Sequence, residues 1–233
     1  MLKASQVIKE LKLKADPKKG LFLMRFFKTG KGEYAEGDIF IGITVPQQRL
    51  IAKKYLSLPL NENQKLISSK IHEYRLTALI ILTHQYKRAT INDRRKIFSY
   101  YMKNRRFVNN WDLVDTSAPY ISGPELYDKP KKLLYKLIRS KSLWDKRIGI
   151  LSTLYFIRQG EFADILKITK LLISDKHDLI QKALGWMLRE IGKKNLAPLI
   201  DFLEKHHKIM PRTMLRYSIE RLPLKLRAKY LAK

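Results

Sequence analysis

The residues best placed to do chemistry lie in the stretch NNWDLVDTSAPYISG, residues 109–123. Asn110 has the short amide side chain of a helix N-cap, which makes Trp111 the first residue of a helix running to about Pro119. On such a helix Trp111 and Asp115 stand four residues apart and share one face. Asn110 and Asp112 suit the free amides and the positive dipole end of a first turn. Asp115, at the fifth helical position, is past those amides, so capping does not account for it. An indole beside a carboxylate is either an accident of packing or a reaction centre for a cation, since the ring attracts positive charge and the carboxylate stabilises it.

A second tryptophan stands in DLIQKALGWMLREIGKK. Ile180, Leu184, Met187, Leu188 and Ile191 form one apolar stripe, and Lys182, Trp186, Arg189 and Lys193 fall on the opposite side. An aromatic ring among cations suits a nucleic-acid groove, where the cations take phosphates and the ring meets sugar or base. The competing reading is a rim tryptophan that shields a helix edge. In KKLLYKLIRSK, Lys132, Lys136 and Arg139 form a stripe opposite Leu133, Leu137 and Ile138. That stripe is either a solvated helix face or a track for phosphates without sequence readout. The segment LWDKRIGILSTLYFIRQG is apolar nearly all round and should be central, with Trp144 in the core. Its Arg147 and Arg158 point almost the same way and each needs an anion, either an internal carboxylate or a DNA phosphate.

The chain around these residues is strongly basic. Its 233 residues carry 48 Lys and Arg against 21 Asp and Glu, a formal net charge of +27. Such a surplus costs self-repulsion in a folded domain and points to a polyanionic partner. The absence of cysteine excludes disulfides, thiolate zinc sites and cysteine nucleophiles. His72, His84, His177, His206 and His207 make no HExxH pattern, and no carboxylate cluster has metal-ligand spacing, so neither metal nor cofactor is expected. The opening MLKASQVIKELKLKADPKKG is amphipathic and charged, unlike a signal peptide, and no apolar run is long enough to span a bilayer. A cytoplasmic protein, associated with the nucleoid through DNA, is expected. Nothing marks a helix seam for a partner, so a monomer is expected.

The elements that must position these residues read as helices almost throughout, with apolar residues at three- and four-residue spacing. Starts are expected near Leu2, Pro17, Pro46, Asn61, Tyr74, Ile91, Trp111, Lys129, Leu143, Phe162, Leu179, Leu196, Pro211 and Leu224. Residues 28–46 read as an extended loop punctuated by glycine. Short connections and no strand to pair predict an all-α chain of stacked antiparallel helix pairs, recurring at roughly 35–40 residues, the size of HEAT-type repeats. No linker divides the sequence, so residues 1–233 are expected to form a single α-α superhelix (solenoid) with a concave basic groove.

Four segments, NNWDLVD, LWDKRIGILSTLYFIRQG, QKALGWMLREIGKKN and GDIFIGITVPQQRLIAKKY, resemble the AlkD-like DNA alkylation-repair family, in order, from about residue 21 to 222. The resemblance implies a HEAT-like helical solenoid and a DNA glycosylase that removes N3- and N7-alkylated purines from double-stranded DNA. Carried over residue by residue, it puts the catalytic carboxylate on Asp115, the two active-site tryptophans on Trp111 and Trp186, and a DNA-contacting arginine on Arg147. Phe26 stands where some members have tyrosine, and the loop 28–46 is longer and more Gly-rich than in some relatives.

The chemistry this implies is simple. A cationic alkylpurine leaves as a neutral base, so the group to stabilise is the oxocarbenium sugar, by Asp115, with the tryptophans cradling the lesion and Arg147 holding a phosphate. Arg158, Lys182, Arg189, Lys193, Lys132, Lys136 and Arg139 would track the backbone. No lysine reads as a Schiff-base nucleophile. The residues alone leave open a non-catalytic solenoid for damaged or branched DNA, an RNA-binding version, and a protein-interaction scaffold, which the charge disfavours.

Overall fold

The computed structural model describes residues 1–232, and over them the fold is all-α. The sole β-type pairing among those residues is one parallel bridge between Ile39 and Ile71. The helices fall into two compact units, residues 1–121 and 122–233.

The first unit contains α1 (Ala4–Lys12), α2 (Pro17–Phe26), α3 (Val45–Lys54), α4 (Leu60–Ile67), α5 (His72–Arg88), α6 (Ile91–Asn104) and α7 (Trp111–Ser117). Its hub is α5. The run LTALIIL is apolar on every side, so the helix is buried from His72 to Leu82 and α3, α4 and α7 pack around it. Each fully buried Leu or Ile there stabilises the fold by roughly 1.5–3 kcal/mol. The expected start at Tyr74 moves back to His72, and His72, Glu73 and Arg75 are buried polar residues at the head of this apolar helix.

The Gly-rich segment divides in two. Residues 31–37 make turns, and residues 38–44 run extended against the head of α5. There Ile39 N–H donates to the Lys70 carbonyl (3.3 Å), His72 N–H donates to the Ile39 carbonyl (2.9 Å), and Asp16 N–H donates to the Ile41 carbonyl (2.9 Å). Gly42 has φ +84°, and a Cβ there would lie 2.0 Å from the Asp16 carbonyl oxygen. Glycine is required at that crossing.

The second unit contains α8 (Ser122–Tyr127), α9 (Lys132–Ile138), α10 (Leu143–Gln159), α11 (Ala163–Leu171), α12 (Asp178–Lys194), α13 (Leu196–His206), α14 (Arg212–Ile219) and α15 (Leu224–Leu231). As its composition predicts, α10 is central, with α8, α9 and α12 packed on it; α12 in turn carries α13 and α14. Gly185 lets α14 approach α12 closely, because a Cβ there would meet the Met214 carbonyl at 2.5 Å. The short α8 has no counterpart in the expected helix starts, since its SGPELY sequence reads as a turn. Two expectations for α10 are corrected. Trp144 is half-buried rather than core, because it lies in the first turn where packing is incomplete. Arg158 is exposed, because the last turn of α10 runs out to solvent, whereas Arg147 is buried.

Candidate functional site

The first unit holds Trp111 and Asp115. Asn110 is extended (φ −151°, ψ 156°), as an N-cap is, and its Oδ1 accepts from the first helical N–H, that of Trp111, at 2.8 Å rather than from the second or third. Asp112 Oδ1 accepts from Leu113 N–H at 2.8 Å. Leu113, Val114 and Ser117 form the buried face of α7, and Ser117 Oγ lies 3.0 Å from the Tyr101 hydroxyl. Asp115 is half-buried, one turn beyond the amides served by Asn110 and Asp112, and by helix geometry it shares a face with Trp111. The helix ends at Ser117 rather than near Pro119, with Ala118 as C-cap.

Trp111 is the outer member of a stack of rings. Its indole lies on Phe27 (centroids 5.1 Å, interplanar 12°), Phe27 on Phe40 (4.8 Å, 22°), and Phe40 on the His72 imidazole (4.3 Å, 21°). Phe26 meets Trp111 edge to face with centroids 6.2 Å apart and is 55% exposed, so it adds an apolar ring beside the indole.

Sequence reasoning missed the polar group behind this stack. His72 Nε2 lies 2.8 Å from Asp112 Oδ2, and Nδ1 lies 3.1 Å from Asp38 Oδ2. Arg75 Nη2 donates to Asp38 Oδ1 (2.7 Å), while its Nη1 donates to the carbonyls of Ser69 and Lys70. Asn110 Nδ2 also reaches Asp38 (3.4 Å). Burial alone would push the His72 pKa down, but the Asp112 carboxylate, supported by Asp38, outweighs it and holds the pKa above the ordinary value. For Asp38 burial acts upward and is outweighed by His72 and Arg75, leaving its pKa below the usual carboxylate value. Asp112 is therefore more than a first-turn carboxylate. Next to it in the fold, the buried Glu73 carboxylate accepts from the N–H groups of Ile41, Gly42 and Ile43 at 2.8–3.3 Å and clamps the extended segment. The available signal was the cluster His72, Glu73 and Arg75 opening an otherwise apolar helix.

The second unit holds Arg147 and Trp186. Arg147, 4% exposed, donates from Nη1 to the Leu179 carbonyl at 2.6 Å, which ties α10 to the first turn of α12. One of its donors is thus satisfied by a neutral backbone carbonyl rather than by an anion. Trp186 is half-buried on α12, clear of the apolar stripe of Ile180, Leu184, Met187, Leu188 and Ile191, all of which are buried. Its Nε1–H donates to Glu190 Oε1 at 3.0 Å. Trp111 and Trp186 are thus both followed four residues later by a carboxylate, Asp115 and Glu190 respectively.

The basic stripe on α12 is neutralised within the unit. Lys182 pairs with Asp178 (2.6 Å), Lys193 with Glu190 (2.7 Å), and Arg189 with Glu220. By contrast Lys132, Lys136 and Arg139 are exposed on and just after α9, with no acidic partner among the described residues. Their opposite face is Leu134, Leu137 and Ile138, since Leu133 is only half-buried. The first unit carries a further cation cluster that the sequence did not reveal. Burial, then the charges of Arg88, Lys53, Arg49 and Lys87, hold the His84 pKa below its ordinary value. These four exposed cations on α3 and α5 have no acidic partner among the described residues.

Among the described residues no group of three or more His, Asp or Glu is arranged to hold a metal ion, and no helix is long and apolar enough to cross a membrane. In comparisons with known proteins, no curated sequence matches the chain. A solved structure from Enterococcus faecalis, described as a predicted DNA alkylation repair enzyme, superposes with a TM-score of 0.70 at 17% identity, covering 91% of this chain and 98% of its own. That likeness carries the fold. The family model for DNA alkylation repair enzymes matches residues 7–222, nearly the full length, and the chain belongs to that family.

Proposed function

We propose that this chain is a monofunctional DNA glycosylase that hydrolyses the N-glycosidic bond of N3- or N7-alkylated purines in duplex DNA. The observation that carries this reading is the place of Asp115, a carboxylate beyond the capped first turn, on the Trp111 face of α7, in a chain of net charge +27. Alkylation at N3 or N7 makes the purine cationic, so the electrons of the glycosidic bond pass to a base that leaves neutral with little acid help. The unstable partner is the oxocarbenium sugar. Asp115 stabilises it electrostatically and orients water, whose oxygen bonds C1′ while one proton passes to Asp115 and on to solvent.

Trp111 and Trp186 present ring faces to the cationic sugar or base. In this reading Arg147 holds a phosphate near the lesion through its guanidinium, the role that the family resemblance gives it. Lys132, Lys136, Arg139 and Arg158 are exposed and take backbone phosphates, while Lys182, Arg189 and Lys193 exchange carboxylate partners for phosphate ones. In this reading residues 1–233 act as one HEAT-like domain, as a monomer on cytoplasmic DNA, without metal or cofactor and without a deep base pocket. The test is incubation with duplex DNA containing N7-methylguanine. Free N7-methylguanine with the strand uncut until alkali is added is the expected result, and strand cleavage by the protein itself would contradict the monofunctional assignment.

A further inference from the structure

We infer that His72 is a positioning residue for the candidate site, held as an imidazolium that fixes Trp111 and the start of α7 from two sides. The argument is one of closed geometry. Starting at Trp111, ring contacts run through Phe27 and Phe40 to His72. From His72 Nε2 a 2.8 Å contact reaches Asp112 Oδ2, and Asp112 is the next residue after Trp111. The circuit returns to its origin through the backbone of α7, so neither the indole nor the helix start can shift without opening it.

Both imidazole nitrogens face carboxylate oxygens, Asp112 at Nε2 and Asp38 at Nδ1. A neutral imidazole has one N–H and would set a lone pair against one carboxylate; two donors require the imidazolium. Phe27, at the end of α2, meets the ring with an apolar face, and three other elements contribute charged or polar groups. The extended segment supplies Asp38, α5 supplies Arg75, whose Nη2 is 3.5 Å from Nδ1, and the start of α7 supplies Asp112 and Asn110. Arg75 holds Asp38 as an anion through its other oxygen, Oδ1; its own charge near Nδ1 acts against the imidazolium and is outweighed by the two carboxylates. A cationic ring stacked at 4.3 Å on Phe40 is also favourable, because the face of an aromatic ring attracts positive charge. The group is nearly dry, with His72 1% and Asp38 5% exposed, so the charge pairs are little screened.

The role of this device in catalysis rests on the reading of Asp115 and Trp111 as reacting-site residues, but its test does not. In Trp144→Phe/Trp186→Phe protein Trp111 is the sole indole. Its emission and anisotropy are recorded against pH, beside the ring nitrogens of 15N-labelled histidine by NMR. Two protonated ring nitrogens on His72 at pH 7.5, and Trp111 emission that changes with the same midpoint as their deprotonation, are expected. In His72→Gln, Trp111 should show the high-pH emission and no such transition. A neutral His72 at pH 7.5, or Trp111 emission indifferent to its titration, would overturn the inference. Both measurements on histidine and indole proceed without His72→Gln should that variant fail to fold. Absence of base release would count against the glycosylase reading alone, because neither signal depends on turnover.

Discussion

His72 Nε2 and Asp112 Oδ2 lie 2.8 Å apart, joining the head of α5 to the first turn of α7. This contact sets a pH window for the stability of the first unit. The His72 pKa is raised above 6.5 by folding, so its contribution is complete below that value and is lost as pH rises through the folded pKa. The Asp38 pKa is lowered beneath 3.8, so its contribution is present above that value and is lost as pH falls through the folded pKa. Thermal melts across pH should show a plateau with a fall on each side. His72→Gln should lower the plateau and remove the part of the alkaline fall that titrates with His72; an unchanged alkaline limb would contradict the assignment.

Glu73 should be worth more than its single charge suggests. Its carboxylate receives three backbone N–H groups of the extended segment, and Glu73→Ala leaves all three without that partner. At about 1–3 kcal/mol for each buried donor, a loss of at least ~3 kcal/mol is expected in urea unfolding. Glu73→Gln, which keeps an acceptor oxygen, should lose less.

The two basic stripes should differ in their contribution to DNA binding. Lys132, Lys136 and Arg139 have no acidic partner among the described residues, so each should reduce the salt dependence of binding by about one counterion when changed to Ala. Lys182 and Lys193 already have carboxylate partners, and their replacement should change the slope less per residue. Affinities measured over a range of salt concentrations decide this. Equal slopes for the two sets would show that giving up a carboxylate partner does not offset the phosphate contacts of α12.

Trp186 is oriented by Glu190 through a 3.0 Å hydrogen bond. Glu190→Ala should loosen the indole and slow base release by up to about tenfold, the size of one hydrogen bond. Glu190→Gln keeps the acceptor and should retain most of the rate. If Gln behaves like Ala, the charge of Glu190 rather than its bond to the indole is what matters.

What was legible in the sequence followed from periodicity and from residue types that are rare in a basic chain. The all-α fold, the centrality of α10, the N-cap at Asn110 and the separation of Trp186 from the apolar stripe of α12 all depend on local spacing. The network of His72, Asp38, Arg75 and Asp112 was not legible, because its members come from three elements up to 74 residues apart. Neither was the neutralisation of the α12 stripe, where Arg189 finds Glu220 at the C-terminal end of α14. A stripe of one charge along a helix says nothing about what the next helix offers it. Arg158 shows the limit of angular reasoning, since its angle agrees with that of Arg147 but its distance from the helix end decides its exposure.

The glycosylase reading stands most directly on Asp115. Under single-turnover conditions, with Asp115→Asn and wild-type protein saturating the same N7-methylguanine duplex, free base should be released by the wild type. Release by the variant should be about 100- to 1,000-fold slower, the effect of losing one preorganised electrostatic group, with affinity for the DNA unchanged. Equal rates would remove Asp115 from the chemistry. No release by either protein, despite salt-sensitive binding, would make this chain a binder of damaged or branched DNA rather than a glycosylase.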